Sequence, residues 1–129
     1  MSIKIRLKNS LNEKLVKNHV FFANQDFKIS GFNKLSIFKH SNFINKSISS
    51  NKSDDKIFLS FDISPTQKIL LIKLKNNQSS HDIEKIGADF YSYLKANSFL
   101  KSTFHEINIR NVNLNNRKFF DEFIHGVEL

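Results

Sequence analysis

The 129-residue sequence predicts an α/β domain with a mixed sheet covered on both faces. Three observations carry that reading. From Gln67 to Arg110 the chain runs as strand, helix, strand: an apolar run to Leu74, a helical segment over about 80–97, then Thr103–Arg110. A crossover of that length makes its two strands parallel, with right-handed topology. Upstream, Lys56–Ile63 sets Ile57, Leu59, Phe61 and Ile63 on one face and Ser60 and Asp62 on the other. It meets the next strand through Ser64-Pro65-Thr66-Gln67, which holds the only proline, so these two strands are antiparallel neighbours. Finally, Lys68–Leu74 is apolar on both faces, as central strands of covered sheets are. A single three-layer domain over residues 1–129 follows.

The remaining elements are read in chain order. Ser2–Leu7 alternates Ile3, Ile5 and Leu7 with Lys4 and Arg6, an edge strand guarded by charge. Asn9–Lys17 is polar with Leu11, Leu15 and Val16, a short helix or turn. His19–Ala23 is a compact apolar run, hence a buried strand. Gln25–Asn33 connects, with Asp26 and Gly31 as turn residues and Phe27 and Ile29 turned inward. Over 34–51 one or two short helices are expected, with Phe43, Ile44 and Ile48 at helical spacing after Ser41 as N-cap. Asn51–Asp55 is a surface loop.

In the long helix, Ser79 and Asp82 fit a capping pattern, and Ile83, Ile86, Phe90 and Leu94 face the core. Gly87 and Ala88 would permit close approach to the sheet, and Asn97 is a stop. Asn115 or Asn116 would cap a last helix with Phe120, Phe123, Ile124 and Val127 inward and Asp121 and Glu122 in its first turn.

Composition limits the function. There is no cysteine, which excludes a disulfide framework and thiolate metal sites. No apolar run is long enough to span a membrane. Met1–Lys8 alternates charged and apolar residues where a secretory signal needs a continuous apolar stretch, so a soluble cytoplasmic protein is expected. The net charge is +8, with ten Lys and Arg against two acids in residues 1–52 and ten against ten in 53–129. Lys outnumbers Arg 17 to 3. Arg is the residue suited to bidentate phosphate and base contacts, so the basic half reads as a solvated surface more readily than as a nucleic-acid interface.

Candidate chemistry is sparse. The histidines are His19, His40, His81, His105 and His125, none at ligand spacing with another, and they read as exposed or half-buried polar residues. His105 and Glu106, adjacent in the expected strand, would point to opposite faces. No G-x-S-x-G elbow is present, and Gly31, Gly87 and Gly126 form no phosphate-cradling loop. The turn Lys73-Leu-Lys-Asn-Asn77 could present lysine to an anion but reads as a solvated basic turn. Tyr91 and Tyr93 serve helix packing or surface. Phe21 and Phe22 are the candidates for an aromatic nucleic-acid platform, if exposed. No catalytic, cofactor-binding or metal-ligating residue is therefore assigned.

One resemblance adds to this. Gln67–Lys75, the polar turn, the helix Asp82–Asn97, the strand His105–Arg110 and Phe119-Phe-Asp-Glu-Phe-Ile-His-Gly-Val-Glu-Leu129 resemble the N-terminal domain of the leucyl (cytosol) aminopeptidases, the M17 metallopeptidases. There a K-V-L-L-V-G-L-G strand leads to a helix with small residues, a strand, and a helix with a small-residue or Gly step. The resemblance covers about residues 56–129, with Lys73 and Lys75 in place of the family's glycines. It implies a macro-domain-like α/β/α fold and an accessory role, in contacts between subunits of a hexamer and in access to the active site. The chain stops at Leu129, before the family's aromatic segment and catalytic domain, so the resemblance implies a truncated or split product. Proteolysis with two divalent metals (Zn or Mn) would belong to the parent enzyme, with peptide substrate reached only through it; this chain by itself is expected to be inactive. Partners would be a catalytic domain or further copies, not nucleic acid or membrane. The alternative is a stand-alone macro-like binding module for a nucleotide or nucleic acid.

Overall fold

Strands β1 (Lys4–Lys8), β2 (Asn18–Ala23), β3 (Phe58–Ser64), β4 (Gln67–Lys73) and β5 (Lys101–His105) form one open sheet in the order β1-β5-β2-β4-β3. The structure is a computed structural model describing residues 4–8, 17–34, 36–53, 55–76, 78–97, 99, 101–112 and 118–128. Pairing is parallel from β1 through β5 and β2 to β4, and antiparallel only between β4 and β3. The hairpin closes where Ser64 faces Gln67 across Pro65-Thr66, as the proline predicts, and a bulge between Asp62 and Ser64 bends the edge. β1 lies at the opposite edge, as its lysines predict. β4 and β5 are parallel as the crossover requires, but β2 lies between them. The expected elements over 9–16 and the Asn115 or Asn116 cap lie outside the described residues.

Helices α1 (Ser41–Asn51), α2 (Ser80–Ala96), α3 (Glu106–Arg110) and α4 (Phe119–Glu128), with 3-10 turns at Phe32–Lys34 and Ser36–His40, complete the described elements. Alternation along the central strands divides the core in two. Val20, Phe22, Leu70, Ile72 and Phe104 meet Ile83, Ile86, Phe90 and Leu94 of α2 and Phe119, Phe123 and Val127 of α4. Phe21, Ala23, Ile69 and Leu71 meet Leu59, Phe27, Phe32 and Ile44 and Ile48 of α1. The first cluster is aromatic at its centre. Phe22 stands edge-on to Phe123 at 5.1 Å and to Phe119 at 5.2 Å, the arrangement ring quadrupoles favour. Among the described residues no helix is long and apolar enough to cross a membrane.

Four expectations are corrected. The strand read over Thr103–Arg110 ends at His105, and Glu106–Arg110 is a helical turn braced by an ion pair between Arg110 and Glu106. The Ile107/Ile109 alternation that suggested a strand is one a short helix also tolerates. Asn108 takes over where the strand stops. Its side chain accepts from the Phe22 N–H at 2.8 Å and donates to the Phe22 carbonyl at 3.0 Å, supplying the ladder bonds a longer β5 would have made. Second, Ser41 is the first helical residue of α1, with His40 at the N-cap and no side-chain cap. Third, Gly87 faces α4 rather than the sheet: a Cβ there would lie 2.0 Å from the Phe123 carbonyl oxygen, and one on Gly126 would lie 1.9 Å from that of Glu84. Fourth, Phe21 and Phe22 are both fully buried on opposite sheet faces, so they form no exposed platform.

Candidate functional site

Two places in the fold concentrate polar chemistry: a histidine pair inside the sheet, and the turn between β4 and α2. The pair is built by strand register. His19 of β2 lies opposite Thr103 of β5, and His105 follows two residues on, so both imidazoles share one sheet face. His19 Nδ1 and His105 Nε2 are 2.9 Å apart, and both residues are almost wholly buried. Gln67 Nε2 lies 3.2 Å from His19 Nε2. In the 2.9 Å contact one ring nitrogen donates and the other accepts, the direction following the tautomer. The rings also stack, His105 on His19 at 5.1 Å and on Phe21 at 4.8 Å between centroids.

Sequence reasoning missed this pair and read the histidines as exposed or half-buried. His81 and His125 are exposed, with His125 2.9 Å from Glu84, and His40 is half-buried. His19 and His105 stand 86 residues apart, and only the β2–β5 pairing brings them together. The available sequence signal was a histidine in each of two strands, next to a buried phenylalanine or valine.

The donor set of the pair does not suit a catalytic metal. Zinc needs three or four convergent donors, and here two imidazoles spend a nitrogen each on one another. Among the described residues no group of three or more His, Cys, Asp or Glu could hold a metal ion. Ser102, whose buried hydroxyl lacks a hydrogen-bond partner, alternates to the face opposite Thr103 and His105. The sheet therefore separates that hydroxyl from the imidazoles.

At the β4–α2 turn the basic residues separate. Lys73 is buried, with its ammonium 5.2 Å above the Phe27 ring, instead of being solvated. Lys75 and Asn76 are exposed, and Gln78 accepts the Lys75 N–H at 2.9 Å. The α2 N-terminus, where an α/β fold would bind a phosphate, is already satisfied from within. Ser79 Oγ accepts the Asp82 N–H at 3.2 Å, and the Asp82 carboxylate accepts the Ser79 N–H at 3.0 Å. The backbone bond from Ser79, then its hydroxyl bond, holds the Asp82 carboxyl below its ordinary range. The negative charge that a ligand would bring to the helix dipole is thus supplied by Asp82.

Tyr93 and Tyr91 take the packing and surface roles expected of them. The Tyr93 hydroxyl bonds Ser60 Oγ at 2.7 Å, and Lys95 lies 5.5 Å above the Tyr91 ring.

No protein-family model matches this chain, and no curated protein matches it at a significant level.

Proposed function

We propose that this chain is a non-catalytic accessory domain of the leucyl-aminopeptidase kind, with a macro-domain-like three-layer α/β/α architecture, acting in the cytoplasm. Its work is assembly: contacts within a homo-oligomer or with a catalytic domain, and the shaping of access to that domain's active site. Peptide hydrolysis and the two divalent metals belong to the catalytic part, and no residue described in this chain is assigned a step in that chemistry.

The observation that carries the reading is the crossing of α2 and α4. The resemblance runs over the strand, turn, helix, strand and helix from Gln67 to Leu129 and includes small residues in the helix after the fourth strand and a glycine step in the last helix. Gly87 and Gly126 occupy those places, and each lets the other helix's backbone approach closely. Further support comes from the α2 N-terminus, whose capping box occupies the place a nucleotide phosphate would take.

Two measurements test the proposal. Purified chain with added Mn²⁺ or Zn²⁺ is expected to leave a leucyl chromogenic substrate unhydrolysed; clear turnover would overturn the non-catalytic reading. Co-expressed with a leucyl-aminopeptidase catalytic domain lacking its own N-terminal domain, it is expected to co-elute, and independent elution would remove the assembly role. Low-micromolar, salt-dependent binding of ADP-ribose or RNA would make the chain a stand-alone binding module instead.

A further inference from the structure

His19 is fully buried and His105 is 2% exposed, and their rings meet at 2.9 Å where β2 and β5 pair. That seam is the short one in the sheet. The described register joins β2 to β5 at His19–Thr103 and Val20–Phe104, but joins β2 to β4 from Asn18 to Ala23. Side chains therefore supplement the ladder at the seam. The Asn18 amide donates to the Lys101 carbonyl at 2.7 Å, and the two imidazoles bridge the strands beside it.

The groups around the pair are neutral or cationic, with one exception. From β4 comes the Gln67 amide, and from β2 the Phe21 ring stacked on His105. Lys17 and Lys101 are exposed on the pair's own strands. In the register, Arg6 and Lys8 of β1 stand opposite Thr103 and His105. On the same sheet face, Lys73 lies over Phe27, α1 carries the exposed Lys46 and no acid, and His40 is half-buried in the second 3-10 turn. The exception is Glu106 of α3, whose carboxylate pairs with Arg110.

We propose that the His19–His105 pair is an acid-sensitive latch, closing the β2–β5 seam when neutral and releasing it when protonated. With both rings neutral, one nitrogen donates and the other accepts. A first proton places a charge where burial disfavours it. A second turns N–H against N–H across the 2.9 Å contact, which then has no acceptor. Opening the seam gives the charged rings water. The open state therefore binds protons more tightly than the closed one. The closed seam is fully stable above the ordinary imidazole value, about pH 6.5, and weakens as pH falls below it. From about pH 7.5 to 5.5 each ring kept neutral by closure lowers the closed-to-open ratio about tenfold, so the two together lower it about a hundredfold. The latch works in the same way whether or not the chain is an accessory domain.

The test is amide exchange of the full chain, followed by NMR at about pH 7.5 and 5.5, with protection corrected for the intrinsic rate at each pH. Protection in β5 is expected to fall about a hundredfold in the wild type, while β4, held by β2 and β3 on the far side of the seam, falls less. His105→Gln keeps a polar group near the Nε2 position without a titrating ring, and its fall is expected to be about tenfold. His19→Asn does the same near Nδ1 and replaces the first variant if that one does not fold. Unchanged β5 protection in the wild type overturns the latch. A fall as large in the folded variant overturns it too, and an equal fall in β4 would mean acid unfolding of the whole domain instead. The wild type decides by itself if neither variant folds: imidazole resonances of the pair that titrate while β5 stays protected would also overturn it.

Discussion

Asn108 does for the sheet what a strand residue would otherwise do. It is fully buried and holds the Phe22 N–H, the Phe22 carbonyl and the Ser30 carbonyl, the last at 2.8 Å. Asn108→Ala would leave the Phe22 groups unsatisfied in the core, and urea unfolding is expected to show a loss of about 2–4 kcal/mol. Nothing in Glu106-Ile-Asn-Ile-Arg110 marks that role, because an asparagine between two isoleucines reads equally as the outward residue of a strand. The capping residues behave differently, since Ser79 and Asp82 are three apart and their interaction is local. The Asp82 carboxyl is held below the ordinary carboxylate range, chiefly by the Ser79 backbone N–H. A carboxyl depressed in the folded state adds stability above its unfolded value and loses it as pH falls through the folded one. Wild type is therefore expected to exceed Asp82→Asn in stability near neutral pH, with the difference shrinking in acid below about pH 4. Parallel thermal melts across pH measure this, and a gap constant down to about pH 2 would count against it.

At the level of elements, α2 and α4 depend on two glycines that helix propensity alone would discard. Each costs about 1 kcal/mol relative to alanine in a helix interior. What they permit is contact between backbones: an added Cβ at Gly87 meets the Phe123 carbonyl, and one at Gly126 meets that of Glu84. Gly87→Ala and Gly126→Ala are each expected to lower stability by about 1–3 kcal/mol despite the better propensity. An increase in the urea midpoint would mean the helices separate at no cost. The core positions of α2 were legible because period 3.6 is written in Ile83, Ile86, Phe90 and Leu94, all buried. The partner of the glycine face was not legible, because spacing tells which residues share a face and not which element meets it. The same limit hid Phe43, whose place in an apolar pattern gave no sign that it faces outward.

For the whole molecule, the sheet order sets a hierarchy of stability. β2 lies between β5 and β4, and its residues Val20–Phe22 and those of β4 from Ile69 to Ile72 are buried on both faces. Amides of these strands are expected to exchange most slowly in native-state hydrogen exchange, and those of β1 and β3 at the edges sooner. Faster exchange in β2 than in β3 would contradict the order. The α/β class, the antiparallel β3–β4 hairpin, the parallel crossover, the capping box and the core face of α2 could be read from the chain alone. Each of these is local, written in a period of 2 or 3.6, a proline or a three-residue spacing. Folding alone sets β2 between β4 and β5, brings His19 to His105, ends β5 at Asn108's side-chain bonds and seats Gly87 against Gly126's helix. These depend on contacts between segments far apart in the chain, and periodicity within a segment carries no record of its neighbour.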